Sequence, residues 1–335
     1  KLNITSEENY EQFDTNEIID SRKKSKNKKL FSSNKIIKFI LPVFVILCIF
    51  LFLFNIIQKN SPKNINSTLE SKTPEKKCEI GYKNENNKCI PTYAIKGIYQ
   101  TKTDNEQINL IGFIPDFPIQ MIIDGKSVES TKSYTFPKKG EHTVLINSNF
   151  TKLISAKRLF YKITSLTKIE FTPLFDIKNV KDMKSMFYEC SELTSIDLSH
   201  LNTKNVVNME LMFAGCRKLK KINLSNFNTQ KVTNMVSMFE RCQSIKELDI
   251  SNFDTRKVES MNSMFRGCYS LLTINLSNLI TNVLRDMSNM FYECTSLKEA
   301  DLSSFDTEGV RSMYCMFNGC TSIKRINLSN FNVRN

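Results

Sequence analysis

Three sets of residues in this sequence have types and spacings that bear on chemistry. Cys190, Cys216, Cys242, Cys268, Cys294 and Cys320 recur every 26 residues without slippage. Met183, Met209, Met235, Met261, Met287 and Met313 recur at the same interval, and Met186, Met212, Met238, Met264, Met290 and Met316 follow them by three. Asp197, Asn223, Asp249, Asn275, Asp301 and Asn327 form a third column in which acid and amide alternate without exception. Thiols and thioethers are ligands for soft metals. Thiols stacked at a strand spacing of ~4.8 Å also lie within disulfide reach. A simpler chemistry serves both columns. All six thiols point the same way into a filled interior, where free Cys packs as a small hydrophobe, and the Met columns repeat in step with Phe187 to Phe317 as core. The expectation is therefore unpaired, buried thiols and no bound metal or cofactor. Cys315 stands outside the ladder and is the candidate for an exposed thiol.

The acid and amide column is the candidate binding strip. Stacked carboxylates repel across a sheet, and an intervening Asn doubles their separation while supplying amide donors. A hydrogen-bonded, solubilising ladder is the plainer reading, and a strip that binds a cation or a partner is the functional one. Asn223, Asn275 and Asn327 each precede Leu-Ser and so match a glycosylation acceptor pattern. Repetition alone generates those matches, and they fall inside a strand. Nothing in the chain pairs a nucleophile with a base or forms a glycine-rich phosphate loop, and His142 and His200 are isolated in sequence. The expectation is a protein that is not an enzyme.

These columns require a solenoid to position them. The repeating unit reads Val-x-x-Met-x-x-Met-Phe-x-x-Cys-x-x-Leu-x-x-Ile-x-Leu-Ser-x-Phe-Asn/Asp-Thr. Its Leu-x-x-Ile-x-Leu part matches a leucine-rich-repeat strand, with Ile196 and Leu198 facing in and Ser195 and Asp197 facing out. The Met-x-x-Met-Phe-x-x-Cys part has helical spacing and predicts a short helix or 3₁₀ segment in each coil. The fold class expected is thus an α+β repeat solenoid over 153–335, a degenerate first repeat followed by six 26-residue coils with the last incomplete. The degenerate copy, Phe160 to Phe171, lacks Met and Cys, as a terminal repeat that closes a solenoid should.

The repeat resembles the bacterial surface protein 26-residue repeat, a BspA-like leucine-rich repeat, over about residues 155–335. The stretch NVVNMELMFAGCRKLKKINLSNFNT carries the likeness. The resemblance implies a cell-surface role in adhesion or ligand binding, without catalysis, and brings no fixed site residues.

Upstream, residues 1–35 are polar, with an acidic stretch followed by a basic one, and read as a cytoplasmic tail without structure. Phe39 to Ile57 is nearly all Phe, Ile, Leu and Val without a charge, long enough as a helix to span a bilayer, so 36–57 is expected to be an uncleaved transmembrane anchor. Eight Lys or Arg lie between Arg22 and Lys38, which predicts the N-terminus inside and the repeats outside. That cluster also accounts for part of the formal charge of +13, so nucleic acid is not an expected partner. Residues 58–77 read as a stalk carrying a glycosylation acceptor at Asn66. A small β-rich module follows over 78–152, with strands predicted at Ala94–Tyr99, Ile108–Ile114, Ile119–Ile123 and Thr143–Ile146 and a hairpin at Asp124-Gly125. Cys78 and Cys89, close together in an exported segment, favour a local disulfide, and two Cys alone cannot fill a zinc site.

The function these features predict is surface adhesion or ligand binding, with an extracellular protein or host surface ligand as partner. The alternative is a single-pass receptor that signals through its tail. The chain begins at Lys1 and stops within a repeat, as a piece of a longer protein would.

Overall fold

In each coil of the repeat region but the last, every second backbone N–H of the Met-Met-Phe-Cys stretch leaves its own coil. Met183, Ser185, Phe187 and Glu189 donate to the carbonyls of Asn208, Glu210, Met212 and Ala214 in the next coil at 2.7–2.9 Å. The N–H groups between them close turns three residues back, as Met186 to Met183 and Cys190 to Phe187. This corrects the expected helix. The segment is a run of tight turns, and strands plus turns build the whole solenoid. The physical reason is the backbone at two positions per coil. Ser185, Leu211, Ser237, Ser263, Asn289 and Cys315 have φ of 53–57°, as does the residue before each ladder Cys within a wider range. A left-handed residue breaks any α-helix, yet turns of three residues reproduce helical spacing in the sequence.

This computed structural model describes residues 77–79 and 81–332. The tail, the apolar segment 39–57, Asn66 and all of the stalk but Lys77 lie outside the described residues. Among the described residues no helix is long and apolar enough to cross a membrane. All described residues fall within one compact unit, Thr73–Asn335.

The strands expected from the sequence are mostly present. They run as β1 (Tyr82–Glu85), β2 (Lys88–Pro91), β3 (Ile95–Thr101), β4 (Glu106–Asn109), β5 (Ile119–Ile123), β6 (Lys126–Val128), β7 (Ser133–Phe136) and β8 (Gly140–Ser148). Then come β9 (Leu166–Phe171), β10 (Ser195–Asp197), β11 (Lys221–Asn223), β12 (Glu247–Leu248), β13 (Thr273–Asn275), β14 (Glu299–Asp301) and β15 (Arg325–Asn327). The Asp124-Gly125 hairpin joins β5 to β6, with both turn residues at positive φ as a two-residue turn demands. The strand expected over Ile108–Ile114 ends at Asn109 instead. Beyond it the chain bends so that the backbone at Gly112 meets that of Arg158, where a Cβ would lie 1.9 Å from the Arg158 carbonyl oxygen.

β9 links the module to the solenoid. On one side it pairs antiparallel with β3, and on the other it pairs parallel with β10. One seven-stranded sheet, in the order β11-β10-β9-β3-β8-β5-β6, therefore crosses from the coils into the module. The degenerate repeat supplies the junction. Its Phe160 continues the ring stack onto Phe187 at 5.4 Å between centroids, with the planes 4° apart.

The core is a set of columns. Phe187, Phe213, Phe239, Phe265, Phe291 and Phe317 stack with centroids 5.4–5.9 Å apart. Both Met columns are fully buried except at the last coil. Thr203, Thr229, Thr255, Thr281 and Thr307 form a polar column inside, each 1% exposed. Thr203 Oγ1 donates to the Asn228 carbonyl and accepts the Asn228 N–H, so one hydroxyl stitches two coils with both of its functions.

Replacing Phe239 by Ala removes a ring stacked on both sides and should destabilise the protein by about 3–5 kcal/mol. Phe317→Ala, which loses one stacking partner and less buried area, should cost less. Urea unfolding of both variants measures the difference, and equal losses would show that stacking on both faces adds nothing.

Candidate functional site: the outward strand face

Each coil places three strand residues in the order out, in, out. Ile196, Leu248, Ile274 and Ala300 point into the core, while Ser195 and Asp197 and their counterparts face solvent. The outward column of Asp197, Asn223, Asp249, Asn275, Asp301 and Asn327 runs along one margin of this face. Lys220, Lys246, Lys298 and Lys324 line the other, with Leu272 between them. A shallow groove of about 1310 Å³ crosses β10 to β13, bounded by Asp197, Asn223 and Asp249 on one margin and by Lys220 and Lys246 on the other.

Why the first margin is always Asp or Asn is a backbone matter. The Oδ1 atom of each accepts the N–H of the residue two positions on. The distances are 2.9 Å for Asp197 and Ser199, 3.1 Å for Asn223 and Ser225, and 3.0 Å for Asp249 and Ser251. Asn275, Asp301 and Asn327 repeat the bond to Ser277, Ser303 and Ser329. These short side chains form such Asx-turns and so end each strand. The bonds hold the carboxyls of Asp197, Asp249 and Asp301 below the ordinary carboxylate range. The Ser199 backbone N–H is the main cause for Asp197, and the Ser251 and Ser303 side chains lead for the other two. With the folded value lowered, this contribution to stability is present above the ordinary carboxylate range and is lost as pH falls through the folded value.

The parallel ladder is interrupted once. β9 to β11 are hydrogen-bonded in sequence, and so are β12 to β15, but β11 and β12 are not paired. On the turn side the same two coils remain joined, by the bridge between Asn208 and Asn234 and by the Phe213 and Phe239 rings 5.5 Å apart. The break in pairing is thus confined to the strand face and lies within the groove. Ile222 there is only partly buried, unlike Ile196, Leu248, Ile274 and Ala300 in its column.

The thiol ladder is core. All six members are free and buried, and each Sγ donates to the Phe carbonyl of the preceding coil at 3.0–3.2 Å. The Phe187 carbonyl thereby accepts both the Cys190 N–H and the Cys216 thiol. Burial pushes Cys190 and Cys268 up to about 12 and raises the other four as well. Cys315 is free and partly exposed. Cys78 and Cys89 are joined by a disulfide, with their Cα atoms 5.6 Å apart, that staples the segment before β1 to β2.

The two histidines are not brought together. His200 is exposed on a turn of the first full coil. His142 is buried in the module, with Nδ1 2.8 Å from Asp124 Oδ2 and Nε2 2.9 Å from the Lys138 carbonyl. Thr101 Oγ1 lies 3.1 Å from the same Nε2 and accepts the Gly140 N–H. With the Thr hydroxyl enclosed and His142 stacked on Phe136 at 4.0 Å, this group locks β3, β8 and the β5–β6 turn together. No spacing in the sequence announces it, because the three side chains meet only through antiparallel pairing.

The family described as "Mycoplasma protein of unknown function, DUF285" matches residues 154–272 and 271–335. No curated protein matches the chain. Among solved structures, the chain is similar to the crystal structure of a T. pallidum leucine-rich repeat protein, with 18% identity and a TM-score of 0.30 over 44% of this chain. The match spans 61% of that protein's length.

Two measurements probe this face and its core. Asn275→Asp keeps the Oδ1 acceptor but sets three carboxylates side by side from Asp249 to Asp301. It should cost ~0.2–1 kcal/mol for each of the two new neighbours at low salt, and the loss should shrink at high salt. An unchanged low-salt melting temperature would rule out repulsion as the reason for the alternation. Iodoacetamide at pH 8 should alkylate Cys315 in the folded protein and the six ladder thiols only after unfolding, as mass mapping would show. Alkylation of Cys242 in the folded state would contradict the burial described above.

Proposed function

We propose that this chain, which belongs to the DUF285 family of Mycoplasma proteins, is a binding protein of the cell surface that docks a polypeptide partner on the outward strand face of its solenoid, without catalysing a reaction. The observation that carries this reading is the groove across β10 to β13. It is wide and open, lined by paired margins of opposite charge, and built on coils locked by backbone bonds. A stacked-coil scaffold of this kind presents an extended surface that is preformed and pays little ordering entropy on binding.

The surface location rests on the sequence. The apolar segment 39–57 and its basic flank support an anchor with the repeats outside, and the Cys78–Cys89 disulfide lies on the side of that segment expected to be oxidising. The resemblance to bacterial surface repeats supports adhesion to an extracellular protein as the finer form of the same reading.

One experiment addresses location and face together. In a Cys315→Ser background, Thr273→Cys places a thiol on the strand face and Gln230→Cys places one on a turn outside it. A membrane-impermeant bismaleimide added to intact cells should label both and cross-link a partner polypeptide only at position 273. Failure to label either thiol would overturn the surface location, and capture only at position 230 would overturn the strand face.

A further inference from the structure

We infer that the corner where the module meets the first coils is a membrane-contact surface, which seats Ile154 and its neighbours in a bilayer that carries anionic phospholipid. The inference goes beyond the binding function proposed above and shares with it only the anchor expected over 36–57. It begins with an apolar margin. Ile154 is 74% exposed and Val207 is 38% exposed. The Lys181 N–H donates to the Ile154 carbonyl and the Val207 N–H donates to the Lys181 carbonyl, so the three residues sit on successive coils along one outer margin. The module extends it. Its segment 112–118 is held across 150–159 at both ends, by the Gly112 N–H on the Leu159 carbonyl at 2.7 Å and by the Phe117 ring 6.0 Å from that of Phe150. Between those contacts Ile114 is 40% exposed, and Phe113 and Phe117 are only partly buried. Exposed apolar side chains that gather in this way mark a contact surface.

The charges around these side chains are unbalanced. Lys152, Lys157 and Lys181 are exposed and form no ion pair among the described residues. Arg158, also exposed, lies 5.0 Å from the centroid of the Tyr161 ring. Of the carboxylates in segments 112–118, 150–159 and 176–182, Asp176 pairs with Lys178 at 3.1 Å and Asp182 accepts the Lys184 N–H at 2.9 Å. Asp116 alone is left to oppose the four cations. Aliphatic side chains that protrude among unpaired lysines suit the boundary of an anionic bilayer, where the ammonium groups meet phosphate and the apolar groups pass beyond it. A protruding corner offers a protein partner no recess, whereas the strand face does. The reach of the chain agrees. The apolar segment ends at Ile57 and the described residues begin at Lys77, and the chain between them, even fully extended, spans no more than about 70 Å. An anchor at 36–57 therefore keeps lipid close to the module.

The test uses the full chain reconstituted in vesicles of phosphatidylcholine, alone or mixed with phosphatidylglycerol, with spin-labelled lipid as quencher. In a Cys48→Ser and Cys315→Ser background, a bimane is attached at Ile154→Cys or, as control, at Thr273→Cys on the strand face. The label at position 154 should be quenched in the phosphatidylglycerol vesicles and far less in phosphatidylcholine alone, and the label at position 273 in neither. Lys152→Gln, Lys157→Gln and Lys181→Gln combined, with an unchanged melting temperature, should lower the ratio of docked to undocked protein on the order of fivefold per lysine. Lys298→Gln with Lys324→Gln, on the strand face, should leave it unchanged. The inference is overturned if position 154 is not quenched in phosphatidylglycerol, if position 273 is quenched equally, or if the triple variant is quenched as before. A protein cross-linked at position 154 in intact cells, without quenching in vesicles, would also overturn it and make the corner a protein contact. Flotation separates the causes. A chain that floats with the vesicles but shows no quenching loses this inference alone, and a chain that does not float loses the anchor as well. Capture of a partner at Thr273→Cys tests the strand face independently of these outcomes.

Discussion

No coil of this protein can satisfy itself. A 26-residue turn of chain has no room for a core of its own, and half of its backbone N–H groups in the Met-Met-Phe-Cys segment point out of the coil. The bond from each such N–H to a carbonyl one coil further on is the interaction on which the rest depends. It holds every coil in one register over the next and forces each residue to sit on its own counterpart. The spacing therefore cannot slip, since a single insertion would misalign every column in both neighbours.

Self-stacking decides which residues each column accepts. Phe stacks face over face on itself, Met adapts its flexible chain to its neighbours, and Thr uses one hydroxyl to give and to take. Cys fits because its thiol reaches the spare lone pair of a Phe carbonyl already bonded once. Ionised side chains stack poorly. Asp alternates with Asn on the strand margin, where both serve the same Asx-turn and only one carries charge.

The same rules explain where the stack departs from regularity. At its start, the degenerate repeat gives up Met and Cys but keeps the Phe column and a strand, β9, that accepts a parallel neighbour on one edge and an antiparallel one on the other. The module thereby covers an edge that would otherwise stay open. At β11 and β12 the stack holds on the turn side and parts on the strand side. That break in pairing lies within the groove of a face whose other neighbouring strands are paired.

Much of this was legible in the sequence, because a repeat writes each structural demand six times. The period, the buried columns, the outward Asp and Asn strip, the Asp124-Gly125 hairpin and the boundaries of β5 follow from residue types and spacing alone. Three things did not. Tight turns and helical turns both recur near three residues, so the Met-Met-Phe-Cys segment reads as a helix until the left-handed backbone at residues such as Ser237 and Arg241 is seen. The Asp124, His142 and Thr101 cluster exists only because β3, β8 and the β5–β6 turn lie side by side. The unpaired joint is the third. No residue marks it, and only the stacking of whole coils decides that the turn side of the joint stays bonded while the strand side does not pair, because coil separation is set jointly by all columns.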